Sequence, residues 1–277
     1  MAPPRKPSKP SPAPIDRLAK RPASRQTTGA ESARKVLGLL LQFSAKRPWL
    51  SIDALAEAVG APVSTTYRYA ALLKEMGFLS DDGQGRYCIA PTLLRVAAAG
   101  REAIRYPELA KAEVASLAAR TGETVLLIQP VGGNGVCIDK VESPHAMRIA
   151  YELGAAFPLH RGAAPKVLLA FQSDAERERY LQQLRAEARG QGKAVAQLRK
   201  ELDQIRADDV GYSSAEITSG LWAVAVPIRQ ADKVVLALSV AGPAFRIGPR
   251  ARASIERDVR ATAARISALL SELGDSV

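Results

Sequence analysis

Ser64, Thr65, Thr66, Tyr67 and Arg68 follow one another directly behind Pro62-Val63. Hydroxyls and one guanidinium at the start of a helix are the groups that reach base edges and phosphates when that end enters a major groove. The same hydroxyls could simply cap a helical hairpin, so the flanking elements decide. Upstream, Ser51 to Val59 sets Ile52, Leu55, Ala56 and Val59 at helical spacing, with Ser51 placed as the cap. Gly60-Ala61-Pro62 then turns the chain, because proline can begin a helix but not continue one. In the second helix Val63, Tyr67, Ala70 or Ala71, and Leu73 are expected to face inward. Gly77 ends it, and Phe78 to Ile89 reads as a hairpin whose loop, 81–86, contains glycine. A hairpin directly after such a helix is the wing of a winged helix-turn-helix. Arg86 stands where the wing could meet a phosphate or the minor groove, or be a solvated arginine.

Other chemistry is thinly supported. There are two histidines, His145 and His160, and no serine or cysteine lies within a nucleophile motif, so an enzyme is disfavoured. Asp139, Glu142 and His145 could be drawn as a metal cluster, but after a strand that spacing reads better as a solvated hairpin end. No metal and no cofactor is expected. His160 reads as a polar anchor for its loop.

The 277 residues suffice for two domains, and 47% hydrophobic with 24% charged residues is ordinary for a soluble chain. No stretch approaches the roughly 18–20 apolar residues of a membrane span, and the Pro- and Lys-rich start lacks the apolar segment of a secretory signal. Cys88 and Cys137 lie apart in apolar runs, which suits a reduced, cytoplasmic protein. The net charge is +11. Arg5, Lys6, Lys9, Arg17, Lys20, Arg21 and Arg25 against Asp16 place more than half of that excess in residues 1–28, read as a disordered basic tail adding salt-sensitive attraction to phosphates.

In order, the expected elements begin with an amphipathic helix, Ser32 to Phe43, with Val36, Leu37, Leu39, Leu40 and Phe43 inward and Trp49 packed beneath the next connection. Pro91 to Ile104 is a linker helix with more apolar positions than its neighbour needs, a possible dimer contact. After Tyr106-Pro107 come a helix to Thr121 and strands at Thr124 to Gln129, Val136 to Val141 and Met147 to Tyr151. A loop from Gly154 enters a helix ending at Ala170, and Ser173 with Glu176 forms a capping box. Two surface helices divided near Gly190 to Gly192 follow, then strands Ile217 to Ile228 and Val234 to Val240, and a closing helix from Pro249 to Leu273. The fold class is α+β: a winged helix-turn-helix (29–90) joined by a linker helix (91–106) to a second domain (107–277) built on an antiparallel sheet.

Over nearly everything after residue 29 the chain resembles the IclR family of bacterial transcription regulators. The residues that carry this are Ser64, Thr65, Tyr67, Arg68, Gly77, Phe78 and Tyr87, then Leu159-His160, Ala163, Lys166, Leu169-Ala170, Gly211-Tyr212, Glu216, Gly220, Leu238-Ser239 and Gly242-Pro243. The resemblance implies a GAF-like effector-binding second domain, a homodimer or tetramer, a double-stranded, pseudo-palindromic DNA operator, and a small organic effector, often a carboxylate or aromatic acid. It implies a ligand beside Gly162, Ala163 and Ala164, against the strands around Leu221, Ala223, Ser239 and Ala241. Small residues and free amides at a helix start would suit an anion there, or merely close packing. The chain departs from many members in reading Pro165-Lys166-Val167, which stiffens that loop, and in carrying Ser213, Ala223 and Ala241 where some carry an acid, a cysteine and a second serine. A larger, more apolar ligand with one polar group held by Ser213 or Ser239 is therefore expected. The alternative is a DNA-binding or architectural protein that answers to no effector.

Overall fold

The computed structural model describes residues 29–187 and 192–274. The basic tail and the expected division at Gly190 fall outside the described residues. Helix α1 (Glu31–Leu40) is followed by strand β1 (Leu50–Ser51), α2 (Ile52–Val59), α3 (Val63–Glu75), β2 (Leu79–Asp81) and β3 (Arg86–Ile89). The strands form a small antiparallel sheet in the order β1-β3-β2, so the wing gains a third strand from the connection ahead of α2. Ser51 caps α2 by accepting the Ala54 amide at 3.3 Å, and Gly60, at φ +62°, closes it in the left-handed region. Leu39, Leu55, Ala70, Leu73 and Leu79 fill the core between these elements. Each buried leucine is worth roughly 1.5–3 kcal/mol relative to exposure.

Two phases differ from expectation. Val36, Leu39 and Leu40 of α1, with Phe43 just beyond its end, pack on the core, whereas Leu37 lies about a third of a turn away and is exposed. Trp49 is likewise half out of the core, with the Arg86 guanidinium 5.8 Å above its ring.

Beyond α4 (Thr92–Ala103), whose Leu94 and Val96 are exposed, the chain enters α5 (Tyr106–Thr121), β4 (Thr124–Val131), β5 (Asn134–Val141) and β6 (Ala156–Pro158). Then come α6 (Ala163–Ala170), α7 (Asp174–Glu187), α8 (Gly192–Asp208), β7 (Gly211–Ser214), β8 (Leu221–Gln230), β9 (Lys233–Pro243) and α9 (Pro249–Gly274). Six antiparallel strands lie in the order β6-β5-β4-β9-β8-β7. Side chains alternate across this sheet. Val125 and Leu127 join α5 and α9 on one face, while Leu126 and Ile128 join α6 and α8 on the other. Both faces are covered, and the central strands are accordingly apolar almost without interruption.

The expected strand at 147–151 does not pair. Its carbonyls are claimed by side chains instead: Thr124 Oγ1 donates to Ile149 O at 3.0 Å and the Arg246 guanidinium to Met147 O. Two unexpected strands, β6 and β7, complete the six, while the stretch expected to begin a strand at Ile217 is a loop up to Gly220. Half of the expected capping box at the start of α7 is present: the Glu176 amide donates to Ser173 Oγ at 3.3 Å, and the Glu176 carboxylate accepts from that hydroxyl rather than from the Ser173 amide.

Candidate DNA-reading face and ligand cavity

The exposed side of α3 carries Ser64, Tyr67 and Arg68, with Thr65 half-buried. Arg68 has no ion-pair partner among the described residues. Thr66 does not belong to this face. It is wholly buried, and its hydroxyl donates to Pro62 O at 3.0 Å. The γ-methyl packs while the backbone one turn earlier satisfies the hydroxyl, which lets a polar residue take a core position. The inward stripe is consequently Thr66, Ala70 and Leu73, turned from the expected one, and Val63 and Tyr67 are displaced to the outer face. Lys74 at the far end of α3 is ion-paired with Asp81 of β2, tying the helix to the wing. On the wing, Arg86 donates through Nε to Asp82 Oδ2 at 2.6 Å while stacking over Trp49. It is exposed but already engaged.

The second site starts from the sheet register. Ser213 lies opposite Ala223, and Ala223 opposite Ala241, so one row of small side chains crosses β7, β8 and β9 on the face toward α6. Ser239 and Leu221, two residues along their strands, share that face. The start of α6 sits over this floor, and the gap between them is a cavity of about 470 Å³ including its mouth. Gly162, Ala163, Ala164, Ser213, Leu221, Ala223, Ser239 and Ala241 all line it. The structure thus gathers all eight sequence-selected positions in one place.

Tyr151 and Phe157 also line the cavity, Trp222 borders it from β8 with its ring on the other face of the sheet beneath Arg252 of α9, and Glu216 is the one charged lining residue among the described residues. Sequence reasoning missed the two aromatic walls because they come from a loop and an edge strand with no local signature. Glu216 stood among the matching residues, but nothing adjacent in sequence connects it to a helix start 54 residues earlier. Its Oε2 accepts the Gly162 amide at 2.9 Å and its Oε1 accepts from Lys166 Nζ at 2.6 Å. Lys166 is also paired with Glu201. The first amide at this helix start is therefore already taken by a carboxylate of the chain itself. The amides of Ala163 and Ala164 have no partner within the helix, as at any helix start, and Pro165 has none to offer. Ser239 donates to Val224 O at 2.9 Å, whereas the Ser213 hydroxyl has no partner among the described residues.

His160 Nδ1 lies 2.8 Å from the Tyr180 hydroxyl, and burial, reinforced by neighbouring Arg161, pushes its pKa down. It anchors the loop ahead of α6, outside the cavity lining. Glu142 is held by Lys140 and Arg148, whose hydrogen bonds lower its pKa to about 2. Among the described residues no three His, Cys, Asp or Glu side chains converge as metal ligands would, and no helix is long and apolar enough to cross a membrane.

A winged helix-turn-helix joined to a sheet domain that encloses an apolar cavity is the architecture of a transcriptional regulator with a small-molecule sensor. The comparisons with known proteins agree. Residues 102–268 match the bacterial transcriptional regulator IclR C-terminal family model, and residues 32–83 match the IclR helix-turn-helix domain. The HTH-type transcriptional regulator Rv1719 of Mycobacterium tuberculosis is 30% identical over 223 residues, 79% of this chain and 84% of that protein. A crystal structure of an IclR transcriptional regulator from Alicyclobacillus acidocaldarius matches with a TM-score of 0.69 at 27% identity, covering 87% of this chain and 97% of that one. An IclR homolog from Microbacterium hydrocarbonoxydans, complexed with 4-hydroxybenzoate, shares the fold with a TM-score of 0.68 at 20% identity over 86% and 98% of the two chains. The chain belongs to the IclR family of bacterial transcriptional regulators. It is a DNA-binding transcriptional regulator, not an enzyme.

Proposed function

We propose that a small organic acid, carboxylate or aromatic, binds in the cavity and thereby sets the affinity of a homodimer or tetramer for a pseudo-palindromic operator in the cytoplasm. We read residues 29–90 as the DNA-binding unit, 91–106 as the linker and 107–277 as the sensor. The observation that carries this is the convergence of the eight small and polar residues with Tyr151 and Phe157 around one space. Aromatic walls and an alanine floor suit a ring, and Ser213 supplies the polar contact. The relative crystallised with 4-hydroxybenzoate lends support to that ligand class. On the DNA side Ser64, Thr65, Tyr67, Arg68 and Arg86 are the proposed contacts. The exposed Leu94 and Val96 of α4 are the natural place for a second copy.

A ligand shifts this equilibrium only by its differential affinity for two arrangements of the paired recognition helices. The test is a footprint of the full chain on DNA upstream of its own and neighbouring genes, with and without a panel of aromatic and aliphatic acids. A protected pseudo-palindrome that responds to one acid is expected. Protection indifferent to all of them would favour the effector-independent alternative.

A further inference from the structure

We propose that Glu216 is an internal stand-in for the effector's carboxylate, and that an acid enters the cavity by displacing it from the start of α6. This rests on reading the cavity as the effector site. Glu216 sits where an anion is best received, on the Gly162 amide at 2.9 Å, beside the Ala163 amide, which has no partner among the described residues. A ligand carboxylate seeking the same amides would lie against it, and two carboxylates sharing one site repel.

The arrangement also provides for its departure. Lys166, fully buried, is paired with Glu201 as well as with Glu216, so its charge stays covered when Glu216 withdraws. Glu216 belongs to the loop between β7 and β8, and its side chain is 30% exposed, against 2% for Lys166. The Glu216 carbonyl accepts from the exposed Arg161, while the rest of the loop is held by its neighbours, with Ile217 packed beside Gly162 and Thr218 hydrogen-bonded to Tyr151, so the Glu216 side chain can swing out without the loop unfolding. The Ser213 hydroxyl, on a residue more than nine-tenths buried and without a partner among the described residues, faces the same space and supplies a further donor to an incoming acid. A neutral ligand has no such exchange to make and binds alongside Glu216.

The experiment is isothermal titration of the full chain and of Glu216→Gln with benzoate and 4-hydroxybenzoate, and with benzamide and 4-hydroxybenzamide as uncharged counterparts. Glu216→Asp, too short to span Gly162 and Lys166 together, is the second variant should the glutamine protein fold poorly. The expected result is that both variants bind the acids about tenfold tighter than the parent does, with the amides unchanged. Acid binding to the parent that is equal or weaker in the variants overturns the inference and leaves the effector reading standing, with Glu216 a ligand partner or a structural group. Acids that bind neither parent nor variants sink the reading of the cavity as an acid site, and this inference with it.

Discussion

Lys166 Nζ lies 2.6 Å from Glu216 Oε1, an ion pair that joins a helix interior to a loop 50 residues away. The lysine is 1% exposed and its four-carbon stem runs through the core under α6. Removing it leaves Glu201 and Glu216 facing each other across a void. We expect Lys166→Ala to cost roughly 2–4 kcal/mol, the scale of a large-to-small core change, with Lys166→Met costing less because it keeps the volume. Urea midpoints at unchanged m-value measure this. An alanine variant as stable as the parent would remove the pair from the structural account.

Thr66 and Arg68 are two residues apart and should fail in different assays. Thr66→Val keeps the packing but loses the bond to Pro62 O, so stability falls by about 0.5–1.5 kcal/mol. Once folded, that variant should bind operator normally. Arg68→Ala should leave stability unchanged and weaken operator binding by about 1–3 kcal/mol if it reads a base. Fluorescence anisotropy at several salt concentrations separates the two. A Thr66→Val protein that folds normally but binds DNA poorly would return Thr66 to the reading face.

Much of this was legible from local pattern. The Ser51 cap, the turn at Gly60 to Pro62, the hairpin after α3 and the boundaries of α4 and α5 each follow from a few adjacent residues, and the structure has them where the pattern puts them. What failed was phase and pairing. Thr66 is inside because a backbone carbonyl one turn back satisfies its hydroxyl, which apolar periodicity cannot register. Residues 147–151 look like a strand, but Thr124 and Arg246 take their carbonyls. The Glu216–Gly162 contact was invisible because it depends on the register of β7 and β8, which brings a distant loop over α6.

Gly162 should be intolerant of substitution. It holds φ +90° and ψ 156° at the start of α6, and an added Cβ would stand 2.5 Å from Ile217 Cδ1. Backbone strain of that kind costs of order 1–3 kcal/mol. Gly162→Ala is therefore expected to lower stability and to press Ile217 into the cavity. Adding Ile217→Ala should restore the space but only part of the stability, since the backbone strain remains. Thermal melts of the three proteins test this. Full recovery in the double variant would mean the side-chain clash, not the backbone, was the whole cost.

Cys137 should be chemically silent in the folded chain. It is wholly buried, and burial pushes its thiol up to about 11 from an ordinary value near 9. The folded state therefore holds its proton more tightly than the unfolded one. The corresponding stability is fully present below pH 9 and is lost as pH rises from there through about 11. Cys88 is half-exposed. Ellman's reagent at pH 8 should find one reactive thiol per native chain and two in urea, with the native one abolished by Cys88→Ala. Cys137→Ala should flatten the fall in stability between pH 9 and 11 relative to the parent. Two thiols reacting at equal rates without denaturant would show that the sheet opens around β5 far more readily than its packing implies.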